Sequence, residues 1–521
     1  MKNFKFKIIS VFALLLVVSN SCTSDLDTEP KVDLSLQNLL AADPNAVEGL
    51  LSRLYASFAL SSVKGPGDSD LGATDNAGES PFIRGLVNLQ DFTADDMKNR
   101  WGDNGLDQLT TTSNWTSNNK FFGYVYNRIY YTVPQATNLI LIMKSDNINY
   151  SNKEQVISEL RFLRALSYYY LIDFFGKGAL VTDENFNSTA ALPESSRKEL
   201  FDYVEKELVD IESILPATNS YGRANKSCAR MLLAKLYLNA EVYTGTARYD
   251  DAAKYVNKII TEGGYQLESN YRKNFSADNN TSKEIIFPLI ADALSSQSYG
   301  NTTYIINGNL STDTMVPADF GATEGWAGHR ATKAWYGKFG NSSADLQNSK
   351  DVRAKLFWTQ GHNWEMTDYK TWTDGYPSTK FWNKNSDGTG AATAFASTDF
   401  PLFRLADVYL MYAECAVRKA AQTSEDQGLL YVNEVRERAG ATKLTSIDLP
   451  TILDERAREL NLEGMRRQDL IRFKQFTGSD KLWPWKGGTL NGTSIPAYYN
   501  VFPIPTTALQ ANPNLKQNIG Y

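Results

Sequence analysis

Two carboxylates and three loop aromatics are the side chains here whose type and spacing could do chemistry. Glu459 and Glu463 lie four residues apart in DERARELNLEGMRRQDLIRF (454–473), a spacing that puts both on one helix face. A carboxylate pair suffices for glycoside hydrolysis, one group serving as acid and the other as base or nucleophile. Arg456, Arg458, Arg466, Arg467 and Arg472 surround them at helical neighbour distances, so the same residues also read as an ion-pair network stitching helices together. Trp101 in KNRWGDNG, Tyr299 in SQSYGN and Trp326 in TEGWAGH offer a different chemistry. An aromatic face packs on the apolar C–H face of a pyranose ring while neighbouring amides and guanidinium groups bind the hydroxyls. Core packing is the alternative role for any one such ring. The three are distant in sequence, so spacing does not establish that they converge.

Other chemistries find little support. The two histidines, His329 and His362, sit in no HExxH pattern and have no cysteine nearby, so no zinc site is expected. There is no G-x-S-x-G nucleophile elbow and no G-x-x-x-x-G-K-[ST] phosphate loop. The run from Asn383 to Gly388 (NKNSDG) resembles the start of a calcium loop but lacks the closing glutamate, and Asp278-Asn279-Asn280 is a weaker version. A structural calcium is therefore unsupported, and no cofactor is expected. With 53 basic against 59 acidic residues and a net charge of −6, the chain shows no basic patch, which argues against nucleic-acid binding.

The elements that must position these residues are mostly helical. Lys2, Lys5 and Lys7 precede an apolar run (8–18), then small or polar residues and Cys22. This reads as a signal peptide over 1–21 followed by an acylated Cys22, the run being shorter than the roughly 20 residues a membrane span needs. Residues 22–42 read as a tether from the lipid, and 43–521 as one globular domain. Within it, Asp43-Pro44 caps a helix, and KEQVISELRFLRALSYYYLIDFFG (153–176) steps its apolar residues by three or four until Gly176. Two further helix pairs follow, 229–243 with 249–264 and 403–420 with 427–441. Their alanines interleave with Leu and Tyr, as in tetratricopeptide pairs that stack to bury their faces. Helical blocks are expected mainly at 43–61, 120–290 and 400–475. Between them, 62–118, 291–399 and 477–505 are rich in Gly, Asn, Ser, Thr and Trp and read as irregular binding segments. Cys228 and Cys415 are expected to be buried thiols.

Taken together, ELRFLRALSYYYLIDFFGKGAL (159–180), YGRANKSCARMLLAKLYLNAEVYTG (221–245), DFPLFRLADVYLMYAECAVR (399–418), ERARELNLEGMRRQDLIRF (455–473) and the ending VFPIPTTALQANPNLKQNIGY (501–521) resemble the SusD/RagB family of nutrient-binding outer-membrane lipoproteins. NAGESPFIRG (76–85) and LWPWKGGTLNGTSIPAYYN (482–500) carry a further likeness to its starch-binding member. The resemblance implies a mostly α SusD-like fold, with tetratricopeptide-like helix pairs in a right-handed scaffold below a loop-rich binding face. It implies a non-catalytic surface protein that captures starch or malto-oligosaccharides for a SusC-like TonB-dependent transporter in the outer membrane. Likeness to the starch-binding member implies an aromatic arc that Trp101, Tyr299 and Trp326 match, and hydroxyl-binding groups that Arg84 and Asn104 match. Asn76 stands where the starch-binding member has aspartate, and Asn99 where it has another tryptophan. Uptake of another glycan or of peptides, and a surface glycoside hydrolase built on Glu459 and Glu463, are the alternatives.

Overall fold

The computed structural model describes residues 36–521 except 44, 74, 75 and 147. The signal peptide, Cys22 and most of the tether lie outside the described residues. Leu36–Ala42, in the segment read as a tether, is helical and buries Leu40 in the core, and Asp43 Oδ1 accepts from Asn45 N at 3.0 Å at the start of the next helix, Asn45–Ala56. Among the described residues no helix is long and apolar enough to cross a membrane.

A series of helices forms the frame, each packed on the one before. Lys120–Lys144 packs on Lys153–Phe174, which packs on Arg197–Glu212, then Lys226–Leu238, then Tyr249–Glu262. Tyr249–Glu262 meets Leu405–Val417, which carries Glu425–Arg438 and Leu449–Leu460 on its other flanks. This is the mostly α architecture of stacked helix pairs that the apolar spacing predicts. Lys153–Phe174 is buried almost all round, with Tyr168, Tyr169 and Tyr170 all enclosed, so it forms the centre of the frame. Cys228 and Cys415 are buried free thiols.

Three expected helices are interrupted, each for a local reason. The arm at 229–243 divides at Asn239, whose amide donates to the carbonyl of Lys235 at 2.9 Å and ends the helix at Leu238; Ala240–Thr244 follows as a separate turn. The segment expected to open a helix at 403 begins as a strand. Phe400–Arg404 is wholly buried and pairs antiparallel with Ile285–Leu289, and the helix starts at Leu405. The segment 454–473 is two helices, Leu449–Leu460 and Arg466–Arg472, separated by a turn in which Leu462 (φ 66°) and Gly464 (φ 72°) are left-handed. A Cβ on Gly464 would also meet Leu86 at 2.4 Å.

The segments read as irregular carry short ordered elements. Phe82–Gln90 is a fully buried helix, and Thr302–Gly308 is another buried helix. Met97–Asn99 pairs antiparallel with His329–Ala331, Asn99 lying opposite His329. This two-stranded ladder fixes the segment after Asn99 against the segment before His329.

Candidate functional site

Glu459 and Glu463 do not share a helix face, because the helix ends at Leu460. They meet instead around Arg404, which bonds Glu463 Oε2 through Nε at 2.6 Å and Glu459 Oε1 through Nη1 at 2.7 Å. Arg353 adds a contact to Glu459 at 2.8 Å, and Lys380 one to Glu463 at 2.5 Å. Both carboxylates are enclosed. Burial alone would raise the Glu459 carboxyl, but Arg438, Arg404 and Arg353 hold it well below the usual carboxylate range. The pair is spent on an internal charge network, and no substrate can reach it.

Asp278 and Asn383 of the calcium-like segments are also engaged with the protein's own groups, whereas Asp387 is exposed and bonds Thr389. Asp278 accepts from Lys273 Nζ at 2.7 Å and from the backbone and hydroxyl of Ser386, both at 2.8 Å, so a lysine already supplies its counter-charge. The Asn383 side chain is turned inward onto Gly321 O and Thr393 Oγ1.

The three aromatic residues do converge. Trp101, Tyr299 and Trp326 line one open groove of about 600 Å³ together with Asn76, Arg84, Gly102 and Asp103. The ring centroids of Trp101 and Trp326 are 6.3 Å apart, and those of Trp326 and Tyr299 6.4 Å, so the rings form a continuous row. Phe395, which the sequence does not single out, packs against Tyr299 at 4.9 Å without lining the groove.

Each ring is held from the frame. Trp101 follows strand Met97–Asn99, and its backbone N–H donates to Asn99 Oδ1 at 2.7 Å. The buried Asn99 thus turns the chain locally and presents no ring to the groove. Trp101 packs at 5.8 Å on Tyr304 and at 5.1 Å on His329. His329 is fully buried among aromatic rings, and desolvation pushes its imidazole well below its usual value, which keeps it neutral beneath Trp101. Trp326 N donates to Asn307 O at 2.7 Å and Gly328 N to Gly308 O at 2.8 Å, fastening that wall to the end of Thr302–Gly308. The Trp326 indole N–H donates to Glu324 Oε1 at 2.8 Å.

The polar members divide. Arg84 sits at the groove floor with its guanidinium 4.5 Å from the Tyr304 ring centroid and 3.6 Å from Glu79. Asn76 lines the rim, and its Oδ1 accepts from Gly78 N at 3.0 Å, which leaves its amide nitrogen as donor. Asn104 is exposed and does not line the groove; Asp103, one residue earlier, does. That one-residue offset lies in a loop whose following residue, Gly105, has φ 90°, and no spacing rule fixes such a turn.

Comparison with known proteins places the chain in a family. Residues 283–521 match the model described as the SusD family, and residues 73–238 one described as "Starch-binding associating with outer membrane". The chain belongs to the SusD family. It is 34% identical to the starch-binding protein SusD of Bacteroides thetaiotaomicron, with 98% of each chain covered, and 24% identical to the SusD-like protein P25 of Formosa agariphila, with 99% of this chain and 98% of that one covered. Among solved structures, it is similar to a SusD superfamily protein of Parabacteroides distasonis (TM-score 0.71, 20% identity, 92% and 99% covered). It is also similar to surface glycan-binding protein A of Bacteroides thetaiotaomicron in complex with laminarihexaose (TM-score 0.69, 19% identity, 91% and 99% covered).

Proposed function

We propose that this protein is a non-catalytic, lipid-anchored surface protein of the outer membrane. It captures starch or malto-oligosaccharides and passes them to a SusC-like TonB-dependent transporter. The observation that carries this reading is the row of rings Trp101, Trp326 and Tyr299 along one open groove, with Arg84 and Asn76 beside it. Rings in a row offer consecutive stacking faces to consecutive sugars, and the flanking guanidinium and amide bind hydroxyls. The α-1,4-glucan is favoured as ligand by the identity to the relative named starch-binding, across nearly the whole of both chains. Binding without turnover is favoured because Glu459 and Glu463 are sealed inside the charge network.

Native affinity electrophoresis in gels with and without amylopectin tests this, with laminarin gels alongside. Retardation by amylopectin that is lost in Trp101→Ala and in Trp326→Ala is expected, each ring contributing about 1–3 kcal/mol. Retardation by laminarin alone would move the ligand to a β-glucan. Retardation unchanged in both variants would remove the groove as the site.

A further inference from the structure

The motif LWPWKGG (482–488) plays no part in the groove, yet it places a second pair of rings beside it. Of its two tryptophans, Trp483 is buried in the core, whereas Trp485 is half-buried and meets Tyr369 edge to face at 4.9 Å. Trp485 has φ 71°, a left-handed conformation that is unfavourable for any residue but glycine. The loop is pinned to hold it there: Trp485 N donates to Thr489 O at 2.9 Å, Gly488 N to Thr111 O at 3.0 Å, and the Lys486 ammonium to the carbonyl of Lys481 at 2.7 Å. The indole Nε1 of Trp485 is shielded and meets no acceptor among the described residues. Packing alone gives no reason for a strained backbone that keeps a large ring at the surface with its N–H unmet.

This pair is physically continuous with the groove. The Lys370 ammonium lies 3.0 Å from the carbonyl of Trp101, 2.5 Å from Asp107 Oδ1 and 5.2 Å from the centroid of the Tyr369 ring. On the other side, buried Arg330 donates to the carbonyl of Thr371 at 2.9 Å and also to that of Tyr369, while its neighbour His329 packs beneath Trp101. One strand therefore supports both ring sets. Asp107 and Lys370, paired with each other and each partly exposed, link the two ring sets.

Resting on the glycan-binding reading above, we infer that Trp485 and Tyr369 form a second saccharide platform, which engages the continuation of a glycan chain already seated on Trp101. A long chain that reaches both platforms makes its second contact intramolecularly, so the platform discriminates by chain length. Isothermal titration of the protein and of its Trp485→Ala and Tyr369→Ala variants, with maltotetraose and with a long linear maltodextrin, tests this. Melting temperatures confirm folding, and Tyr369→Ala decides the matter if Trp485→Ala does not fold. The expected result is a loss of about fivefold or more for the long chain, with maltotetraose affinity unchanged. Folded variants that bind both ligands like the parent overturn the inference, and so does an equal loss for both ligands, which would mean that the pair acts through Trp101. A parent that binds neither ligand overturns the α-glucan reading itself, and this inference with it.

Discussion

The indole N–H of Trp101 donates to the carbonyl oxygen of Trp326 at 3.0 Å, joining two walls of the groove that are 225 positions apart in the chain. Gly328 lies directly against the same indole. A Cβ built there would come within 2.4 Å of Cε2 and Cζ2 of Trp101. The ring position therefore depends on a residue that contributes no side chain. Gly328→Ala should displace the indole and weaken glycan binding about tenfold, as read by isothermal titration. Parent-like affinity would show that the ring need not sit where it does.

Phe395 stands behind the most exposed member of the row. Tyr299 is 41% exposed and has Phe395 at 4.9 Å on one side and Trp326 at 6.4 Å on the other. Phe395→Ala should lower glycan affinity about two- to fivefold, less than Tyr299→Ala, because it removes a support while leaving the stacking face. An equal loss in the two variants would give Phe395 its own sugar contact.

The charge network predicts instability where a catalytic role would predict lost turnover. Glu459 takes bonds from Arg353 and Arg404 inside the protein, and Arg438 also pairs with it. Glu459→Gln leaves three buried guanidinium groups short of counter-charge. The expected cost is about 3–5 kcal/mol of unfolding free energy in urea titrations. Unchanged stability would contradict the stitching role.

A buried acid pair should give stability an unusual pH dependence. Asp91 and Asp96 interact side chain to side chain. Asp91 Oδ2 and both Asp96 oxygens meet no donor among the described residues. Burial pushes Asp91 up from 3.8 to about 7, and burial with repulsion from Asp91 and Asp95 pushes Asp96 well up. Asp95, Lys98, Lys380, Glu463 and Arg466 are the charged groups around the pair. The folded protein holds the Asp91 proton more tightly than the unfolded chain. The stability this gives is complete below pH 3.8 and is lost as the pH rises through about 7. Asp96→Asn removes one charge and supplies a donor. Its unfolding free energy should therefore fall less than the parent's between about pH 5 and pH 8 in denaturant titrations. Parallel falls would show that the pair does not hold the proton.

Periodicity made the long helices legible, because the apolar residues of Lys153–Phe174 recur at helical spacing, Tyr249–Glu262 buries one face, and both end near glycines. It failed at Phe400–Arg404, where a five-residue strand buried throughout has no alternation to tell it from the start of a helix. It failed again at Leu462, since a left-handed leucine leaves no trace in composition. Trp101, Tyr299 and Trp326 were legible from their loop context as candidate stacking rings, but their convergence with one another and with Arg84 and Asn76 was legible only through resemblance, because tertiary contacts bring them together from the two segments 62–118 and 291–399. Phe395, Asp103 and Glu324 carry no local signal: their roles follow from neighbours distant in sequence or, for Glu324, from the indole two residues on.

The ladder between Met97–Asn99 and His329–Ala331, with the bond from Trp101 to Trp326 above it, couples the two walls of the groove before any ligand arrives. Such a groove has little freedom to close around a guest, so any bending falls on the polymer. A chain whose free conformation already matches the spacing of the rings binds at little conformational cost, whereas one that must be reshaped along its contact forfeits affinity. The elasticity of the polysaccharide thereby becomes a selection criterion, separate from the identity of its sugars.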